Sequence, residues 1–186
     1  SEWFGLPAYG NGLWVAGGDH GQVAWSTNAV HWQTAATGQT TNRLLNTAFA
    51  GGMFLATGTD GTLLTSTDGK GWTRRALDAT ISLGQVAWSG GGFVVAESNT
   101  ATVFTSADAI SWSRHDLPAN VASILEITAW EEGFLALAQT VDYGPKLLLR
   151  STDAQTWTPE TPPADSIARI TVGGGRLLAF RDPGSR

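Results

Sequence analysis

Carboxylates, amides and a few rings stand at spaced positions along the chain, each just after a short apolar run: Asp19-His20, Thr59-Asp60, Ser98-Asn99, Asp142-Tyr143 and Arg181-Asp182. A second set, Asn46, Gln85, Glu126 and Arg169, stands where such runs begin. These side chains can hydrogen-bond a hydroxyl-rich ligand or a polar protein surface without a deep cavity. Glu126 and Asp60 offer the two carboxylates of a glycoside hydrolase, but the separation that decides such a mechanism is not a property of sequence. Asp19, Asp60 and Asp142 carry oxygen ligands suited to calcium, without a contiguous oxygen-rich loop. His20, His31 and His115 show no HxxxH spacing, and no GxSxG motif accompanies them. No catalytic residue, metal ligand or cofactor is therefore assigned. Asp, Asn and Gly also suit tight turns for backbone reasons, so each has a conformational reading beside the binding one.

The elements that must position these residues are repeats. Ser26-x-Asn28 with Trp32, Ser66-x-Asp68 with Trp72, Ser106-x-Asp108 with Trp112 and Ser151-x-Asp153 with Trp157 share one pattern, the tryptophans lying 40, 40 and 45 residues apart. A fixed period of this size marks a tandem array rather than a single folded topology. In the clearest unit four short strands are expected, Leu45 to Ala50, Met53 to Thr57, Thr62 to Ser66 and Trp72 to Leu77. Gly51-Gly52, Gly58 to Gly61 and Asp68 to Gly71 supply the turns, because Gly and Asp tolerate positive φ.

The repeats run over about 4–36, 45–77, 84–117 and 126–160, followed by a half repeat at 167–182, and 1–186 reads as one domain. A four-stranded meander alone exposes both faces, whereas units of ~40 residues stacked radially bury them. The expected fold is all-β, a β-propeller of four-stranded antiparallel blades with four full repeats plus a half repeat. Apolar runs such as Phe93 to Ala96 and Leu147 to Leu149 fit strands covered on both faces. Tyr9, Phe49, Trp88 and Trp130, in register before the first turn of each unit, are expected to be core plugs.

The Ser-x-Asp…Trp turn resembles the Asp-box, or bacterial neuraminidase repeat, of sialidases, sortilin-type receptors and photosystem assembly factors. It is one residue shorter before Trp than the usual form, and Asn28 replaces Asp in the first copy. The resemblance implies a structural role for the twelve Ser, Asp/Asn and Trp residues of the motif, at the periphery and away from the ligand face. It also implies that ligands sit where the first strands enter and where second and third strands join, which selects Asp19, His20, Asp60, Asn99, Glu126, Asp142, Tyr143 and Arg169 as the candidate ligand-binding residues. Sialidases use an arginine triad, and Arg43, Arg169 and Arg181 do not reproduce its pattern.

A net charge of −5 with no basic cluster beyond Arg74-Arg75 argues against a nucleic-acid backbone as partner. No apolar run nears the ~20 residues of a membrane-spanning helix, and Ser1 to Phe4 lacks a signal-peptide pattern. The absence of Cys excludes disulfides but leaves the compartment open, with an extracellular or periplasmic setting preferred. The chain reads as soluble, either processed or excised from something longer. The expectation is a non-catalytic binding module recognising a glycan or other polar ligand. A protein-interaction or assembly scaffold is the alternative, and a segment of a sialidase-like hydrolase a second one. The half repeat further raises three outcomes: a longer propeller, a small ring with a reduced fifth blade, or a homo-oligomer completing the ring.

Overall fold

The computed structural model describes residues 3–77, 81–131, 133–161, 167–173 and 176–181. The first sheet is β1 (Ala8–Gly10), β2 (Leu13–Gly17), β3 (Gln22–Ser26) and β4 (Gln33–Ala36). The second is β5 (Leu44–Ala50), β6 (Met53–Gly58), β7 (Leu63–Ser66) and β8 (Thr73–Arg74). The third is β9 (Leu83–Ser89), β10 (Gly92–Glu97), β11 (Thr102–Ser106) and β12 (Ser113–Asp116), and the fourth β13 (Val121–Trp130), β14 (Gly133–Thr140), β15 (Leu147–Ser151) and β16 (Thr158–Glu160). A pair, β17 (Ile167–Gly173) and β18 (Arg176–Arg181), follows. Each four-stranded sheet is an antiparallel meander in chain order, and the first strands of successive sheets pack beside one another.

The strand boundaries differ from the expected ones at the two edges of a blade. The first strand of the first unit, expected from Leu6 to Tyr9, is Ala8–Gly10, and the chain before it pairs with the end of β2 instead: Phe4 bridges Gly18 and the Gly5 N–H donates to the Gly17 carbonyl. The outer strand β8 is only Thr73–Arg74, both exposed, so little packing holds it to length. No described helix is long and apolar enough to cross a membrane.

The core consists of layers between blades. Val15 and Leu13 of the first blade meet Phe54, Leu64 and Trp72 of the second. Leu55 and Leu63 then meet Phe93 and Phe104, and Val94 and Val103 meet Phe134 and Leu149. Leu135 and Leu137 finally meet Ile167 and Ile170. Alternate residues of one strand thus serve opposite interfaces, which is why the second strands carry unbroken apolar runs such as Met53 to Ala56, Phe93 to Ala96 and Phe134 to Ala138. The core-plug reading is corrected at two of four positions. Phe49 and Trp130 pack on these layers, but Tyr9 and Trp88 are 56% and 41% exposed. Tyr9 and Trp88 pair with Trp14 and Phe93, the rung of Phe49 and Phe54, whereas Trp130 pairs with Gly133, one rung nearer the turn and so on the other side of its sheet. Tyr9 belongs to the first described blade and rests on Trp14 with ring centroids 4.7 Å apart.

Candidate functional site

Antiparallel order divides the molecule into two faces. The turns joining first to second and third to fourth strands fall on one, and the loops joining second to third strands, with the approaches to each first strand, fall on the other.

The first face carries the Ser-x-Asp…Trp turns. In the second blade the Ser66 hydroxyl donates to Asp68 Oδ1 at 3.0 Å, and the same oxygen accepts from the Lys70 and Gly71 N–H groups at 2.9 and 2.8 Å. Ser106–Asp108 and Ser151–Asp153 repeat the arrangement. In the first blade Asn28 Oδ1 accepts from Val30 and His31, so an amide reproduces the geometry without charge. These hydrogen bonds hold the carboxyls of Asp68, Asp108 and Asp153 below their ordinary value, led by the N–H groups of Lys70, Ser111 and Thr156 respectively. Trp72 and Trp157 are buried and Trp112 half-buried, and Trp32 and Trp157 donate their indole N–H to the carbonyls of Ala29 and Ala154. The hydroxyl and the carboxyl or amide oxygen of each motif thus serve their own turn.

The opposite face carries the candidate ligand residues. Asp19 Oδ1 meets Arg43 Nε at 3.0 Å, its Oδ2 accepts from the Trp3 N–H at 3.1 Å, and the Arg43 guanidinium lies over the Trp3 ring. His20, Asp60, Asn99 and Tyr143 each sit at a loop tip with φ between 52° and 60°, exposed to solvent. Asp142 Oδ1 accepts from Gly144 N–H at 3.1 Å, and Tyr143 N–H donates to the Thr140 carbonyl. Glu126 is the most engaged: Oε1 meets Arg169 Nε at 2.8 Å and Oε2 accepts from the Ile170 N–H at 2.6 Å. Gln85 makes the equivalent link in the preceding blade, accepting from the Ile127 N–H at 2.8 Å.

The structure therefore brings Glu126 and Arg169 together as a link between blades and spreads the loop-tip residues over successive blades. Asp60 and Glu126, considered above as a carboxylate pair, belong to the second and fourth blades, with the third between them. Among the described residues no three His, Cys, Asp or Glu side chains are close enough to hold a metal ion.

Sequence reasoning missed Glu97. It ends the otherwise apolar β10, is only 7% exposed, and borders a groove of ≈ 250 Å³ between the third and fourth blades. Gly84, Gln85, Ser98, Asn99, Ile124 and Leu125 complete its walls. The signal was present as a single charge closing the run Phe93-Val94-Val95-Ala96.

No protein-family model matches the sequence, and no curated protein does. Solved structures do match in shape. A YCF48 structure from Cyanidioschyzon merolae superposes with a TM-score of 0.63 at 16% identity, covering 91% of this chain and 59% of that one. A virginiamycin B lyase from Staphylococcus aureus, solved with quinupristin, gives 0.78 at 11% identity over 96% and 63%. YCF48 bound to D1 peptide gives 0.68 at 14% over 98% and 65%. The fold is a β-propeller. At these identities the likeness is one of fold alone, and the chain spans under two thirds of the length of these propellers. Four blades and two strands of a fifth are present in it.

Proposed function

We propose that this propeller is a non-catalytic protein-interaction scaffold of the Asp-box type, binding a peptide or protein segment across its loop face. Tyr143 carries the reading. Its ring is 85% exposed, on a backbone held at φ 56° that bulky residues rarely adopt, and its loop is braced by the Asp142 and Thr140 hydrogen bonds. Exposed, pre-positioned aromatic rings are the usual anchors of protein interfaces. The loops around it differ from blade to blade, which suits one extended partner better than a set of equivalent glycan sites. A structurally similar propeller was solved with a peptide bound. Selection from a displayed peptide library against a parallel glycan array tests this. Selected peptides should lose at least about tenfold in affinity on Tyr143→Ala and nothing on Gln155→Ala, which lies on the opposite face. Glycan binding that depends on Tyr143, with no peptide selected, would overturn it.

We further propose that the end faces of the arc receive a second copy of the chain, head to tail. At one rung of the second strand Val15, Leu55, Val94 and Leu135 are each 0–1% exposed beneath the next blade, yet the corresponding Leu178 is 51% exposed and Phe180 53%. At the other end Ala29 and Trp32 are exposed, although Ala109, Ala154 and Trp157, their counterparts, are buried. Among the described residues, the inter-blade contact made four times has an open half at each end.

A further inference from the structure

Glu97 is a carboxylate short of donors. Its side chain is nine-tenths buried, and the Thr100 hydroxyl is the hydrogen-bond partner it has among the described residues, at 3.2 Å from Oε2. That hydroxyl has one hydrogen and lies 3.4 Å from the Glu97 carbonyl as well, so it is shared, and the acceptor capacity it leaves on the carboxylate opens to the groove that Glu97 lines. The four ion pairs of the described residues, Arg43–Asp19, Arg114–Asp116, Arg150–Glu131 and Arg169–Glu126, leave Glu97 without a cation. Glu126 shows the contrast: on the same face, one blade later, both carboxylate oxygens are engaged.

The groove beside Glu97 has the form of the missing partner. Ala96, Ile124 and Leu125 give it an apolar wall, with Leu125 40% exposed, and Ser98 and Asn99 flank its mouth. Its ≈ 250 Å³ lies below the ~300–1,000 Å³ typical of whole small-molecule sites, so it suits one side chain. An aliphatic stem along the apolar wall ending in a cationic head is the chemistry of arginine and lysine. A single carboxylate without companions does not make a divalent-cation site. The chain's net charge of −5 also favours approach by a basic segment.

We propose that the groove between the third and fourth blades is a subsite for an arginine or lysine side chain of the bound protein segment, with Glu97 as counter-ion. The proposal rests on the protein-scaffold reading, so its test uses a small probe that reports on the groove whether or not a protein partner is found. Nα-acetyl-arginine-N-methylamide is titrated into the chain by amide NMR, with the uncharged citrulline analogue as control. Saturable shifts confined to Gly84, Ser98, Asn99 and Leu125 are expected, at least about tenfold weaker for citrulline and abolished by Glu97→Gln. Leu125→Arg, which sets a guanidinium at the mouth, should block the probe with Glu97 intact, so the prediction survives a misfolded first variant. No shifts at these amides, equal responses to arginine and citrulline, or undiminished binding in a folded Glu97→Gln protein each overturn it. Probe binding without any peptide selected would overturn the scaffold reading and leave the subsite standing.

Discussion

Three of the four motif turns are held by an ionisable carboxylate and the first by an amide, so acid should act on them unequally. A carboxyl whose folded-state pKa is lowered stabilises the fold while ionised, fully above its unfolded value of about 3.9, and that contribution is lost as pH falls through the folded value. Asp68, Asp108 and Asp153 are all lowered, so the melting temperature should drop as pH falls from about 5 towards 2. Replacing all three by Asn, as the first blade does naturally, should flatten that drop in calorimetric scans; an unchanged slope would mean that other groups set it. Gly69 is a second residue-scale case. At φ 71° a Cβ there would come within 2.7 Å of Val15 Cγ2 and 2.8 Å of Leu13 Cδ2 across the blade interface. Gly69→Ala should cost about 1–3 kcal/mol by overpacking alone, seen as a lower urea midpoint. The corresponding Ala29, Ala109 and Ala154 show that the turn itself accepts a methyl group.

Among the elements, the first strands do two jobs. They form the inner wall of the arc, and in β5, β9 and β13 a polar residue near the start of the strand reaches the next blade: Asn46 towards the Gly84 carbonyl, Gln85 to Ile127, Glu126 to Ile170. The Glu126 link is the strongest of these, being charged, short and with a side chain only 13% exposed. Hydrogen bonds to charged groups contribute roughly 1.5–3 kcal/mol. Glu126→Ala should accordingly speed exchange of the Ile170 amide by one to two orders of magnitude while the Ile127 amide, held by Gln85, keeps its protection. Equal protection at Ile170 in both proteins would show that strand packing alone holds the fifth blade. Glu126→Gln keeps an acceptor and should fall between the two.

At the scale of the whole molecule, stacked blades use a heterologous interface, the front of one against the back of the next, which does not close on itself in pairs. Exposed Leu178 and Phe180 at one end and Ala29 and Trp32 at the other should drive concentration-dependent association, seen as rising molar mass by light scattering. Ala29→Arg and Leu178→Arg should each give monomers. An equimolar mixture should recover a one-to-one pair, because each variant keeps the half the other has lost. A mixture that stays monomeric, or a single variant that associates as the unsubstituted chain does, would rule out the head-to-tail contact.

The sequence by itself determined the blades. A Ser-x-Asp…Trp turn is a local event: its hydrogen bonds span two or three residues, and its recurrence sets the repeat. Strand order within each blade followed, because short turns leave antiparallel neighbours as the only pairing. Tertiary structure alone decided what happens between blades. Glu126 and Ile170 are 44 residues apart in sequence and 2.6 Å apart from carboxylate oxygen to amide nitrogen, a link between blades that the segment carrying Glu126 does not announce. Tyr9 and Trp88 share the rung of Phe49 and differ from it in burial, and Trp130 lies one rung nearer its turn, because side-chain type says neither the register of a hairpin nor how far a neighbouring blade extends. Glu97 was one acid at the end of an apolar strand until the third and fourth blades met beside it, since burial of a charge is a property of the packed interface and not of the segment that carries it.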